Sequence, residues 1–368
     1  MRNNVLMFQP NTNPVAVGIG LVALDVVLDE RTETPPRLWA GGTCGNVLSI
    51  LAFLDWKSLP VARLARDAAS RLIIRDMKRW GVAIDHISLA PTTPGPIIVH
   101  RIRQNSAGEP FHSFSLNCPD CGRHLPSYRP VPAASLQAVL PTIPKPNVFF
   151  ADRVSRGVLT LAQSLRDRGA LIVFEPCGVS DQAHFNEMLS LTHVLKYSQE
   201  RLPDLDVSVE VPLVIETMGR GGLRYRSRLT GAKSRGWVRC EPYQLNRYVD
   251  TAGAGDWCTA GVIHMLGRHG YGAFKQMGIS RLHDAIDFGQ ALAAWNCGFL
   301  GARGGMYSVS KFEFQRTIRQ ILEQRSHSMP ATDEPQGPSG KMIARVCSEC
   351  RESKKSVSSR SLRQLMHG

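Results

Sequence analysis

Apolar positions along this chain follow two rhythms. Residues 15–28 are nearly continuously apolar and predict a buried strand, a polar position at Asp25 and a second strand. Residues 41–54 turn on Gly41 and Gly42 and enter a helix with apolar residues at helical spacing. Residues 61–70 lead into a long amphipathic pattern through Trp80, stopped by Gly81. Residues 97–103 predict a strand of a small sheet. After a proline-rich passage at 126–146, strand-like and helix-like segments alternate at 147–151, 155–168, 170–175, 185–191 and 193–196. This βαβα rhythm predicts an α/β fold with a mostly parallel sheet covered by helices on both faces. A buried strand from 211 ends in a Thr217-Met-Gly219-Arg-Gly-Gly222 turn, and helices are expected at 257–266 and 285–298. From Ser326 onward Pro, Ser, Gly and basic residues dominate and the patterning fades, as in a flexible tail.

The chemistry concentrates in Asp250-Thr251-Ala252-Gly253-Ala254-Gly255-Asp256. Two glycines and small alanines let the backbone turn sharply, so that consecutive N–H groups converge just before a helix and bind an anion. Asp256 would sit beside that nest, placed to take a proton from an attacking hydroxyl. Donors for a developing phosphate charge and a base for the nucleophile are the minimum for phosphoryl transfer to an alcohol. A glycine-rich turn before a helix is also a common structural device that binds nothing. Asp25, alone in an apolar run, needs either a structural hydrogen bond or a hydroxyl-rich ligand.

The full string 250–256 closely resembles the C-terminal signature of the ribokinase-like (PfkB) carbohydrate kinase family, Asp-Thr-x-Gly-Ala-Gly-Asp. Gly41-Gly42-Thr-Cys-Gly-Asn46 resembles its N-terminal signature, with Leu48 in place of the usual Ala. The likeness spans about residues 13 to 320 and implies a ribokinase-like sheet flanked by helices, with a small β-sheet lid at about 29–42 and 92–125. It implies an anion hole at Gly253, Ala254, Gly255 and Asp256, with Asp256 as catalytic base. Asp25, Gly41, Gly42 and Asn46 become substrate contacts, and Thr217, Gly219, Gly222 and Thr251 ATP contacts. Departures are present: Ala23 replaces a frequent Asn, and Arg66 replaces a Gly before Asp67. Where the family shows Asn-x-x-Glu for magnesium and phosphates, this chain has Ser198 and Arg201, with Glu200 displaced by one. Either Glu200 substitutes as the magnesium ligand, or metal handling is altered, or phosphotransfer has weakened.

Composition fits an enzyme, with 43% hydrophobic residues in 368, enough for a large core. The longest apolar run is broken by Gly18, Gly20 and Asp25, which argues against a membrane span, and the polar start resembles no leader, so a cytoplasmic location is expected. A net charge of +13 suits anionic substrates such as ATP, is also compatible with nucleic acid, and does not by itself decide between them. Nine cysteines fit reduced thiols or metal ligands better than a disulfide framework. Cys118 and Cys121 form one CxxC pair and Cys347 and Cys350 another. They fit a single four-cysteine zinc site, a local site with His112 or His124, a redox pair, or chance spacing. The family resemblance predicts no zinc. The tail, 326–368, carries Lys354 and Lys355 and reads either as a solubilising segment or as a contact for nucleic acid or a partner.

The sequence therefore indicates a kinase domain over residues 1–325 that phosphorylates a hydroxyl of a sugar or nucleoside-like molecule with ATP and magnesium. The resemblance adds pairing of lid strands between subunits in a homodimer. A second reading is a non-catalytic regulatory protein on the same fold, using a zinc knuckle and the basic tail. The altered 198–201 segment favours it and the intact 250–256 run disfavours it.

Overall fold

A computed structural model of the chain describes residues 13–324 except 33, 92–93, 107–109, 204, 206–209 and 247, together with 326–327 and 346–351. Lys354, Lys355 and most of the basic tail lie outside the described residues. In chain order the strands are β1 (Val15–Ile19), β2 (Ala23–Asp29), β3 (Arg37–Gly41), β4 (Lys57–Ala65), β5 (Ile87–Ala90), β6 (Ile97–Gln104), β7 (Pro110–Ser115), β8 (Val148–Ala151), β9 (Leu171–Phe174), β10 (Val194–Ser198), β11 (Leu213–Thr217), β12 (Leu223–Ser227), β13 (Val238–Cys240), β14 (Gln244–Leu245) and β15 (Ser326–His327). The α-helices are α1 (Thr43–Phe53), α2 (Ala68–Arg79), α3 (Ala133–Val139), α4 (Arg156–Asp167), α5 (Gln182–Leu191), α6 (Ala254–Leu266), α7 (Gly270–Lys275), α8 (Ile279–Asn296), α9 (Gly304–Ser308) and α10 (Lys311–Gln324).

Among the described residues nine strands form the main sheet in the order β13-β12-β11-β10-β9-β8-β1-β4-β5. Neighbours from β5 to β11 pair in parallel, and β12 and β13 add an antiparallel edge. The central strands β1, β8, β9 and β11 read as nearly unbroken apolar runs because both faces are covered, whereas the edge strand β12 alternates. On β8, Val148 and Phe150 enter one core cluster while Phe149 and Ala151 enter the other, as the two-residue period of a strand requires. Helices α1, α6, α8 and α10 contribute to the first cluster, and α4 and α5 to the second. The strand order reverses at β1, with β4 and β5 on one side and β8 to β11 on the other. Ligands of open α/β sheets bind outside the carboxyl ends of strands at such a switch point.

A separate four-stranded sheet, ordered β3-β2-β6-β7, forms the small lid. It begins earlier than the expected residue 29, because all of β2 belongs to it. Gly20 explains the exit from the main sheet. Its φ is 149°, and any Cβ there would overlap the carboxylate of Asp152, which accepts the Leu21 N–H at 2.9 Å. Polar caps set the helix starts, as where the Asp67 carboxylate accepts the Ser70 N–H at 2.8 Å at the head of α2. Among the described residues no helix is long and apolar enough to cross a membrane.

Candidate active site

Helix α6 starts at Ala254, three residues before the hydrophobic pattern placed it, so the expected anion donors form its first turn rather than a preceding loop. Gly253 makes this junction. Its φ of 74° is left-handed, and a Cβ there would overlap the carbonyl of Ala302. Asp250 braces the loop, accepting the Ala252 N–H at 3.0 Å and the Gly301 N–H at 2.8 Å. Asn296 adds donations to the carbonyls of Ala252 at 3.2 Å and Ala302 at 3.1 Å. The Ala254 N–H is tied to the Thr251 carbonyl at 3.3 Å. The rest of the first turn is a helix N-terminus, whose N–H groups lack intrahelical partners and whose dipole favours an anion.

Asp256 is half-buried in that turn and accepts a hydrogen bond from Asn46 Nδ2 at 2.7 Å. Burial, then the neighbouring Glu175 charge, push its carboxyl up to about 7, against the pull of Asn46, Lys196 and Arg201. Asn46, on α1, is held by a partner that fixes its orientation. Arg303 Nε donates to Asn46 Oδ1 at 3.0 Å. A guanidinium only donates, so the Asn46 oxygen must face it and the Asn46 NH₂ must face Asp256. Arg303 is buried and also donates to Asp76 Oδ2 at 2.8 Å and to the Ala40 carbonyl. Asp76 on α2 further accepts the Tyr307 hydroxyl at 2.7 Å. One polar chain therefore runs from Asp76 through Arg303 and Asn46 to Asp256.

The residues matched to substrate binding gather around this chain. Asp25 is buried in β2, and burial raises its carboxyl to about 6 although His100 and Arg303 pull it down. Gly41 makes room for it, since a Cβ at 41 would overlap the Asp25 carboxylate. Gly42 turns the chain into α1 with φ 77°, at a place where a Cβ would strike the Leu21 carbonyl. The expected nucleotide turn lies at the carboxyl end of β11. Thr217 Oγ1 donates to the Tyr197 carbonyl at 3.3 Å, and Gly219 and Gly222 take φ of 56° and 80°. Ser198 pairs with Thr217 in register, and Glu200 is exposed in the turn after β10.

Several polar residues at this edge escaped the sequence reading. Lys196, buried in β10, donates to Glu175 Oε1 at 2.6 Å, and Thr259 on α6 donates to Glu175 Oε2 at 2.5 Å. Burial disfavours the Lys196 ammonium, but Glu175, together with Cys258 and Asp256, raises its pKa on balance. A Cβ on Gly255 would lie 3.7 Å from both Lys196 Nζ and Glu175 Oε1, which puts this ion pair directly beneath the first turn of α6. Asp152, buried at the end of β8, is raised by desolvation to about 6. The available signal was a lone charge in or just after an apolar strand, the same signal that singled out Asp25.

His112 does not join the cysteines, as a local metal site would need. From β7 its Nδ1 lies 3.1 Å from Thr251 Oγ1 and 3.5 Å from Asp250 Oδ1, while His100 Nε2 lies 3.5 Å from Asp250 Oδ2. Burial alone would raise the Asp250 carboxyl, but His100, the Ala252 N–H and His112 hold it below its usual value. These contacts hold two lid strands to the 250–256 run. His124 is exposed and joins no ligand cluster among the described residues. The two CxxC pairs do meet, with the sulfurs of Cys118, Cys121, Cys347 and Cys350 all within 4.8 Å of one another.

No protein-family model matches the chain, and no curated protein sequence matches it either. Solved structures do match over nearly their whole length. A Xylella fastidiosa fructokinase with bound ATP aligns with TM-score 0.63 and 16% identity, covering 85% of this chain and 99% of that one. A Vibrio cholerae O395 fructokinase with fructose, ADP and calcium gives 0.61 and 16%, covering 79% and 94%. A nucleoside kinase from Methanocaldococcus jannaschii, described as an archaeal member of the ribokinase family, gives 0.58 and 13%, covering 83% and 98%. With its large, mostly parallel sheet between helix layers and its separate small sheet, this chain has the ribokinase-like fold of those sugar and nucleoside kinases.

Proposed function

We propose that this protein transfers the terminal phosphate of ATP to a hydroxyl of a sugar or nucleoside-like molecule, with Asp256 as the general base. The observation that carries the reading is the 2.7 Å contact between Asn46 and Asp256 at the N-terminus of α6. A substrate-holding amide, a carboxylate whose pKa is raised to about 7 and a helix N-terminus there share one place. A base is most effective when its pKa lies near the working pH. In the proposed step Asp256 accepts the hydroxyl proton, and the N–H groups of the first turn of α6 hold the negative charge of the transferring group. Asp25 and Asn46 hold the acceptor's other hydroxyls. Lys196, neutralised by Glu175, keeps the underside of that turn rigid without drawing the phosphate onto itself. The turn at Thr217, Gly219 and Gly222, together with Thr251, contacts the nucleotide.

Magnesium fits this edge in one way. It binds through one or two carboxylates while keeping several waters, and exposed Glu200 is the carboxylate that follows β10. When bound, the ion neutralises charge on the nucleotide phosphates. Arg201, which already lowers the Asp256 carboxyl, supplies further positive charge at the position where the family motif has a carboxylate.

The test is ADP release by purified protein with ATP and magnesium across sugars and nucleosides, with Asp256→Asn beside it. Turnover with one acceptor that vanishes in the variant supports the reading. Failure to bind ATP and to turn over any acceptor would overturn it in favour of a non-catalytic protein on the same fold.

A further inference from the structure

Cys118 and Cys350 are 232 residues apart in sequence and Cys121 and Cys347 226, yet the fold brings all four thiols together. Each pair sits on the scaffold that best aims two sulfurs together. After β7 the chain makes a tight knuckle. Cys118 N–H donates to the Arg123 carbonyl at 2.8 Å, the Gly122 N–H returns to the Cys118 carbonyl at 2.9 Å, and Gly122 takes φ 73°. Asn117 bridges His124 across it. The second pair lies on a short helical turn at 346–351, where residues three apart share a face.

The distances distinguish between chemistries. Cys118 Sγ lies 3.8 Å from Cys350 Sγ, and Cys121 Sγ 3.8 Å from Cys347 Sγ. A disulfide needs a separation of about 2.05 Å. Four sulfurs each about 2.3 Å from a central zinc sit on a tetrahedron whose edge is about 3.8 Å. Cys118, Cys347 and Cys350 are buried while Cys121 is exposed, which gives the site a dry wall and an entry side.

We propose that Cys118, Cys121, Cys347 and Cys350 bind one structural zinc ion, which fastens the C-terminal segment to the lid. The ion closes a very long loop, so it acts as a staple between two distant parts of the chain, whose residues Leu125 and Val346 also join the same apolar cluster. The strand leading into the knuckle is β7, which carries His112 to Thr251 and Asp250. The staple therefore anchors the lid strand that touches the 250–256 run. Four protein sulfurs leave no open position, so the role is structural rather than catalytic.

The test is metal content of the full-length chain, purified under reducing conditions and dialysed against metal-free buffer. One zinc per chain is expected, released when a mercurial reagent titrates four thiols. Cys118→Ser and Cys350→Ser should each abolish retention of zinc, since either leaves an incomplete site, while Cys177→Ser, outside the cluster, should keep it. Should the cluster variants fail to fold, the wild-type content decides alone. Iron in place of zinc, disulfides between the pairs, or four free thiols after incubation with zinc would each overturn the assignment. These readouts need no activity, so they stand or fall apart from the kinase reading.

Discussion

Replacing Asp256 with Asn separates the catalytic from the structural consequences of burying that carboxylate. In the folded protein its pKa is raised from 3.8 to about 7, chiefly by desolvation. A group raised in this way makes the folded state bind more protons than the unfolded one, so stability falls as pH rises from about 4 through 7. At about 1.4 kcal/mol per pKa unit, the ionised side chain costs at most about 4 kcal/mol above pH 7. Exposure of part of the group screens this, and a net cost of about 1–2 kcal/mol is expected. Asn keeps the size and can still accept from Asn46, whose own orientation is fixed by Arg303. Asp256→Asn should therefore lose turnover yet unfold a few degrees later than wild type at pH 8, with the gain shrinking as pH falls to 5. Wild-type kcat/KM should rise about tenfold per pH unit below 7 and level off above it, since only the ionised base accepts a proton. Thermal unfolding at the two pH values, read beside ADP release, makes the check. Near-normal turnover would refute the base assignment, and a gain equal at both pH values would refute the desolvation argument.

Two further perturbations probe the scaffold. Gly253→Ala forces a side chain into left-handed backbone, costing about 1–2 kcal/mol before its overlap with the Ala302 carbonyl is counted, so it should lower both the unfolding midpoint and activity. Gly255→Ala, in ordinary helix with 3.7 Å clearance, should hold or raise stability while lowering turnover, and equal stability losses in the two variants would sink this distinction. Lys196→Met leaves the mostly buried Glu175 with Thr259 as its remaining side-chain donor and should cost about 3 kcal/mol, the low end for a broken buried pair, measured by denaturant unfolding. Adding Glu175→Gln should recover part of it, and an unchanged midpoint in the single variant would show that the pair is not coupled to stability.

The sequence determined the α/β class, because a parallel sheet covered on both faces must be written as continuous apolar runs alternating with amphipathic ones. It also located the 250–256 run and the Gly41–Asn46 turn, because residues with no side chain, or with one lone charge among apolar neighbours, answer to local physical demands that spacing reveals. It marked both CxxC pairs because two-residue spacing lets two thiolates converge on one ion. What those residues touch follows from packing between distant elements. Arg303 reaching across to Asn46, Lys196 under α6 against Glu175, and His112 turning to Asp250 instead of to the cysteines all join elements far apart in the chain. The start of the lid at β2 depended on Asp152 filling the space above Gly20. Whether two CxxC pairs form one site or two depended on where a segment after α10 comes to rest. Hydrophobic period specifies which face of an element is buried. It carries no information about which distant polar group will be waiting there, since that follows from sheet order and the packing of side chains across it.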